Sequence, residues 1–227
     1  FPELNNLIGC KQEFEWHPEG DVWNHTLQVI DSGREIAERE GLSITDKIIL
    51  LYACLLHDIG KPGTTTILNN KIVSHGHEEC GAKLTINFFN SIGLYDKNII
   101  DNVIPLVGNH LKHLQAITDR SIRRLSLTLL LSNIKMLSYL IEADHSGRGS
   151  MPKGLPLEAK LMLEKSEQLN IQLNAPKPIL MGRHLIDLGF KPGKEMGALL
   201  KNAFEVQLDG NFDSLEGAIT WLKTQIT

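Results

Sequence analysis

Cysteine is scarce. Cys10, Cys54 and Cys80 are the three among 227 residues, their number is odd, and none stands in a C-x-x-C pair. That usage points to reduced thiols and a cytoplasmic protein rather than a disulfide framework. Long apolar runs are missing too. The longest, residues 48–56, is nine residues and contains Tyr52, whereas a helical membrane span needs about 18. No signal-peptide pattern is recognisable. Charge is nearly balanced, at net -4 with a sequence pI near 6.1. Bulk charge therefore exerts no pull on nucleic acid, and any such contact has to come from a local patch. Internal repeats and low-complexity tracts are absent, and period-two alternation is scarce. The chain begins at Phe1 rather than Met, the start expected of a processed chain or of a piece of a longer one.

What is present is helical periodicity, so the expected fold class is all-α. Gly20-Asp21 offers a cap, and the stripe Val22, Thr26, Val29, Ile30, Ile36, Ala37 follows until Gly41. Thr45 is expected to cap a second helix over residues 46–59, apolar nearly all round and hence buried. Gly60, Pro62 and Gly63 break it, and "TTTILNNKIVSHG" reads as a polar loop. Further helices are expected over about 77–90, 97–107, 121–130 and 133–143. The Gly- and Pro-rich "SGRGSMPKGLPLE" reads as a junction. It divides residues 1–150 from an extension over 151–227 holding three or four more helices.

Polar residues lie on the apolar faces of these helices. His25 shares a face with Val22, Val29 and Ile36, and His77 with Gly81, Leu84 and Phe88. His110 continues Val103 and Val107, Asp144 continues Leu137, Leu140 and Ile141, and His57-Asp58 close the most buried helix. Residues three, four and seven apart share one side of a helix, so all six point into the core. One inward histidine ordinarily makes a single hydrogen bond and means little. Two carboxylates in a dry core must be paired or bound to a cation. If the six converge, a metal centre removes the cost, with carboxylates supplying charge and imidazoles lone pairs.

The order His25, His57-Asp58, His77, His110, Asp144, with the local string "LLHDIGKP", resembles the H…HD…H…H…D signature of the HD-domain metal-dependent phosphohydrolases. The segments "FPELNNLIGCKQEFEWHPEGDVWNHTLQVID", "SHGHEECGAKL", "LVGNHLKHL", "RSIRRLS" and "EADHSGRG" resemble the HD region of some tRNA nucleotidyltransferases and poly(A) polymerase-like proteins. "MGRHLIDLGFKPGKEMGALLKNAFEVQLDGNF" is similar to the helical body that follows there and helps hold RNA. The pattern of that family's nucleotide-adding head, a Gly-Ser followed by an Asp-x-Asp pair, does not occur, so nucleotide addition is not expected unless a head lies upstream of Phe1. The Glu-Asp pair of alarmone hydrolases and the Gly-Tyr-Pro of cyclic-dinucleotide hydrolases are also missing.

The resemblance implies an HD-domain helical bundle with a C-terminal helical extension. It implies that His25, His57, Asp58 and Asp144 hold one metal, and that His77 and His110 hold a second with Asp58 bridging. It also implies a metal-activated hydroxide attacking the phosphorus of a nucleotide or RNA-end phosphate ester, 2′,3′-cyclic phosphates included. A one-metal site is the alternative, with His77 and His110 contacting substrate. The N and O donors favour Mn, Fe, Ni, Co or Mg, one or two ions per chain. Lys61, three residues after Asp58, suits a catalytic contact to a phosphate oxygen, and Arg148, four after Asp144, suits phosphate binding at the mouth. Of the other basic residues, Arg120 and Lys153 follow the core without an assigned role, and Arg123 and Arg124 fit surface ion pairs. His17 reads as part of a structured lead-in, His75 as a pocket-lining residue and His113 as a neighbour of the site. His145 and His184 read as ordinary, and Trp16 and Trp23 as helix packing or base stacking. Two functions stay open: a phosphohydrolase, or an RNA-binding portion of a tRNA nucleotidyltransferase-like protein whose metal site is structural or vestigial.

Overall fold

The computed structural model describes residues 1–149 and 151–225. A short helix α1 (Pro2–Asn5) and an irregular lead-in precede α2 (Val22–Arg39). Asp21 caps α2 through Oδ1, which accepts Asn24 N–H at 2.9 Å, and its Oδ2 accepts Gly9 N–H at 2.7 Å, tying the lead-in to the helix start. Helix α3 spans Ile44–Leu56 and is capped by Ser43, whose hydroxyl accepts Asp46 N–H at 3.1 Å. The expected cap, Thr45, instead lies inside the first turn. Helix α3 also stops before His57, so the His-Asp pair occupies the turn that leads to α4 (Lys61–Thr64).

The stretch expected as a loop contains an antiparallel hairpin, β1 (Thr66–Leu68) and β2 (Lys71–Val73), in register Thr66↔Val73. Asn69 and Asn70 both take positive φ, at 50° and 61°. Two-residue hairpin turns of this kind favour Asn because its short polar side chain tolerates the left-handed region. Strands of three residues are too short to display alternation, which is why the pattern reads as a loop.

Helices α5 (His77–Ser91), α6 (Lys97–Asn109), α7 (Asp119–Thr128) and α8 (Ile134–Ser146) follow, with a single 3₁₀ turn at Lys112–Leu114. Helix α8 runs past residue 143 and so carries Asp144 within it. Beyond Ser150, the residue at the expected division and outside the described residues, come α9 (Leu157–Gln168), α10 (Gly182–Asp187), α11 (Lys194–Leu208) and α12 (Leu215–Gln225).

Helix α2 packs on α3 and α8, α3 and α5 pack on α6, and α9 packs on α8. Their shared core buries Val29, Leu50, Leu56, Phe89, Val103, Leu106, Leu137 and Leu140 completely. Each large side chain of this kind contributes about 1.5–3 kcal/mol of hydrophobic stabilisation. This core draws on residues as far along as Ile171. A second, smaller core of Leu180, Leu185, Ala203, Phe212, Ala218 and Leu222 holds α10–α12 together. Arg124 pairs with Glu205, Arg120 with Asp209, and Arg123 Nη1 donates to the Leu208 carbonyl at 3.2 Å. All three arginines thus face α11 and its C-terminal end. No helix among the described residues is long and apolar enough to cross a membrane. The molecule is a helical bundle with a helical extension.

Candidate metal centre

The six inward residues converge. Each is 6 % exposed or less. His25, His77 and Asp144 lie on helices, whereas His57, Asp58 and His110 sit in the turns just after α3 and α6. Asp58 is the residue common to both sides of the cluster. Its Oδ2 lies 3.1 Å from His57 Nε2 and 3.9 Å from His25 Nε2. Its Oδ1 lies 3.3 Å from His77 Nε2 and 3.9 Å from His110 Nε2. His25 Nε2 is also 3.0 Å from Asp144 Oδ1.

Three of the rings are oriented by one device. His57 Nδ1–H donates to the Cys54 carbonyl at 2.8 Å, His77 Nδ1–H to Ser74 at 2.7 Å, and His110 Nδ1–H to Val107 at 2.8 Å. A carbonyl only accepts, so in each neutral ring the Nε2 lone pair is the group turned towards Asp58. His77 Nε2 and His110 Nε2 face each other at 3.2 Å. His57 Nε2 and Asp58 Oδ2 are both buried and make no hydrogen bond, and the Lys61 ammonium stands 2.7 Å from Oδ2. Acceptors gathered in this way repel one another unless a proton or a cation lies between them. The donor set fits a divalent ion, nitrogen and carboxylate oxygen without thiolate.

Close backbone approach makes the convergence possible. A Cβ on Gly60 would stand 2.1 Å from the His77 carbonyl oxygen and 2.6 Å from Gly81 N. A side chain there would push the start of α5, and His77 with it, away from Asp58. Gly147 plays the same part where α8 crosses α2, since a Cβ would meet Val29 Cγ2 at 2.6 Å.

The charges are strongly coupled. Burial works to raise the Asp58 carboxyl, but His57 and Lys61 outweigh it and hold it well below the usual carboxylate range. Asp144 is likewise depressed against burial, by Arg148 and His25. Burial, with His57 and His77 nearby, drives His110 down to about 3. His25 moves the other way: burial disfavours its charge, yet Asp144 and Glu19 raise it to about 8.

A cavity of about 380 Å³ opens onto the cluster, lined among others by Trp16, His17, Lys61, His75, Leu111 and Arg148. Lys61 Nζ stands 2.7 Å from Asp58 Oδ2 and donates to Gln12 Oε1 at 2.6 Å. Arg148 Nη2 donates to both Asp144 oxygens at 3.1 Å, while its buried Nε has no partner. His75 lines the cavity as expected. His113 is buried behind His110, donating Nδ1–H to its carbonyl at 3.1 Å.

Three neighbours escape sequence reasoning. Glu19, with a side chain 2 % exposed, lies 2.8 Å from His25 Nδ1 and 2.9 Å from His17 Nδ1 through one oxygen. His17 itself is buried beside His25, their ring centroids 4.7 Å apart. Gln12 holds Lys61. All three stand in irregular backbone before α2, where spacing carries no information about facing. The quoted "HPEG" before a helix cap was the one available signal.

The family model described as HD domain matches residues 22–153. Among curated proteins, the chain is 35% identical over 88 residues to the "Multifunctional CCA protein" of Psychromonas ingrahamii, covering 38% of this chain and 19% of that protein. It is 35% identical over 82 residues to the protein of the same name from Neisseria meningitidis serogroup C, covering 36% and 17%. To that of Legionella pneumophila strain Paris it is 32% identical over 83 residues, covering 37% and 18%. The matched stretch thus spans under a fifth of these relatives. No solved structure matches.

Proposed function

The chain belongs to the HD domain family, and from that premise we propose that it is a cytoplasmic, divalent-metal-dependent phosphohydrolase. Its substrates are nucleotides or RNA ends, 2′,3′-cyclic phosphates included. The carrying observation is Asp58, whose two oxygens face separate sets of imidazole nitrogens, His25 with His57 and His77 with His110. In this reading His25, His57, Asp58 and Asp144 would hold one ion, and His77 and His110, with Asp58, would hold a second. One or two of Mn, Fe, Ni, Co or Mg suit such donors. Bound there, the metal supplies a hydroxide at neutral pH and balances phosphoryl charge.

The chain's own groups bind and orient the ester. Lys61 Nζ, steadied by Gln12, contacts a phosphate oxygen from one side of the cavity. Arg148 approaches from the other, its partnerless Nε a donor for phosphate. The carbonyls of Cys54, Ser74 and Val107 keep the three imidazoles aimed.

The test is hydrolysis of bis(p-nitrophenyl) phosphate, 2′,3′-cyclic AMP and AMP in the presence of each metal in turn. Metal-dependent turnover, abolished in Asp58→Ala, is expected. Equal turnover in metal-free Asp58→Ala protein would refute the mechanism.

A second reading draws on the relatives' printed names: an RNA-binding portion of a CCA-protein-like chain, with a structural metal site. Residues 151–227 would then hold tRNA. The two cores favour a division between Ile171 and Leu180, later than the junction around 150. Affinity for a tRNA that drops in the full chain on Lys191→Glu with Lys194→Glu would support this role. Affinity unchanged by that pair would remove it.

A further inference from the structure

His25 is the exception among the four cluster histidines. The other three rest Nδ1–H on the carbonyl three residues back. For His25 that carbonyl belongs to Val22, and it already accepts Thr26 Oγ1–H at 2.8 Å inside the first turn of α2. The orientation of His25 must come from elsewhere, and Glu19 Oε1, 2.8 Å from its Nδ1, is the acceptor at hand. Gly20, at φ 114°, supplies the left-handed turn that lets the chain fold Glu19 inward just before the helix cap.

Resting on the metal reading above, we infer that Glu19 is the positioning residue of this centre. Its Oε1 meets His25 Nδ1 as an ion-pair contact at 2.8 Å, short of hydrogen-bond angles, and that contact holds the ring with Nε2 turned to the Asp58–Asp144 side. Through the same oxygen it holds His17 as a wall of the substrate cavity. Burying a carboxylate without a cation partner is costly, and Glu19 leaves its Oε2 with no hydrogen bond at all. On Oε1 its compensation is the hydrogen bond with His17 Nδ1 at 2.9 Å and the His25 ring, whose Nδ1 stands 2.8 Å away. His17, Glu19 and His25 lie close enough to take an ion of their own. However, the 2.9 Å contact from His17 Nδ1 to Glu19 Oε1 is a hydrogen bond, and a nitrogen that donates its proton cannot also ligate, which leaves that group one donor short.

The experiment titrates full-length, metal-free protein with Co²⁺, followed by its visible absorption, in wild type, Glu19→Ala, Glu19→Gln and His17→Ala. Removing an outer partner of a ligating histidine costs about 10–100-fold in metal affinity, and that loss is expected for Glu19→Ala. Glu19→Gln retains a carbonyl oxygen to accept one Nδ1–H and is expected to recover part of the affinity; it also serves should the alanine variant fail to fold. His17→Ala is expected to leave Co²⁺ affinity unchanged and to raise KM for a phosphodiester without lowering kcat. Wild-type affinity in a folded Glu19→Ala protein would overturn the inference while leaving the metal reading intact. A Co²⁺ equivalent lost in both Glu19→Ala and His17→Ala would reveal a separate ion site and overturn it as well. No Co²⁺ uptake by the wild type would overturn both readings together.

Discussion

The two cores of this chain bury their side chains on different terms. In the larger one, four histidines and two aspartates lie at 6 % exposure or less, in the same half of the molecule as the fully buried Val29, Leu56, Val107 and Leu140. In the smaller one, Leu180, Leu185, Ala203, Phe212, Ala218 and Leu222 do all the burying. Among the described residues, no polar side chain after Ser166 is buried. A core that only has to hold helices together is apolar, because each buried ion costs several kcal/mol unless it is compensated. Among the described residues every buried ionisable side chain lies in the larger core, which is where the proposed metal centre stands. The extension's polar groups stay at its surface and in the arginine contacts that dock it on α7.

The largest expected effect on stability comes from Leu140→Ala in the larger core, at about 3 kcal/mol. Leu185→Ala should destabilise the smaller core by a similar amount yet leave metal content unchanged. Denaturant unfolding with metal analysis at each step checks both. Metal lost on Leu185→Ala would mean that the cluster depends on the extension, and the contrast between the cores would fail.

Gly60→Ala sharpens the comparison, since it adds one methyl group at the junction of the turn and α5. Overpacking of this kind costs about 1–3 kcal/mol. It is expected to lower metal affinity as well, because His77 moves with the backbone it displaces. An unperturbed melting temperature together with unchanged affinity would show that the close approach is not needed.

Titration separates the cores most finely. In metal-free protein His25 is raised from 6.5 to about 8. Its contribution is fully present below about pH 6.5 and is lost as pH rises through about 8, roughly 2 kcal/mol in size. His110 is lowered to about 3, so the unfolded chain takes up a proton below 6.5 that the folded chain refuses. Stability is lost on that side as pH falls. The metal-free melting temperature should therefore peak near pH 6.5, whereas the protection factors of α11 amides, corrected for base-catalysed intrinsic exchange, should stay flat with pH. A curve that keeps rising to pH 9 would contradict the His25 assignment.

Much of the site was legible because helices make facing periodic. The spacing of His25 from Val22 and Val29, and of Asp144 from Leu137 and Leu140, placed both on buried faces. His57-Asp58 is legible although it lies just past the end of α3, since the apolar run leads straight into it. The rest was hidden for physical reasons. The hairpin around Asn69-Asn70 is too short to alternate. Ser43 and Thr45 both carry a hydroxyl that can cap, and only the Ser43–Asp46 hydrogen bonding distinguishes them. Glu19, His17 and Gln12 come from irregular chain and become neighbours of the cluster only through the tertiary fold. Likewise, the packing of α9 on the first core cannot be read from the Gly- and Pro-rich junction that precedes it.

Metal content decides the central claim most directly. Elemental analysis of protein purified without chelator, beside Asp58→Ala prepared in parallel, should find one or two divalent ions per wild-type chain and none in the variant. No ion in the wild type, and none retained after exposure to Mn, Fe, Ni, Co or Mg, would contradict it.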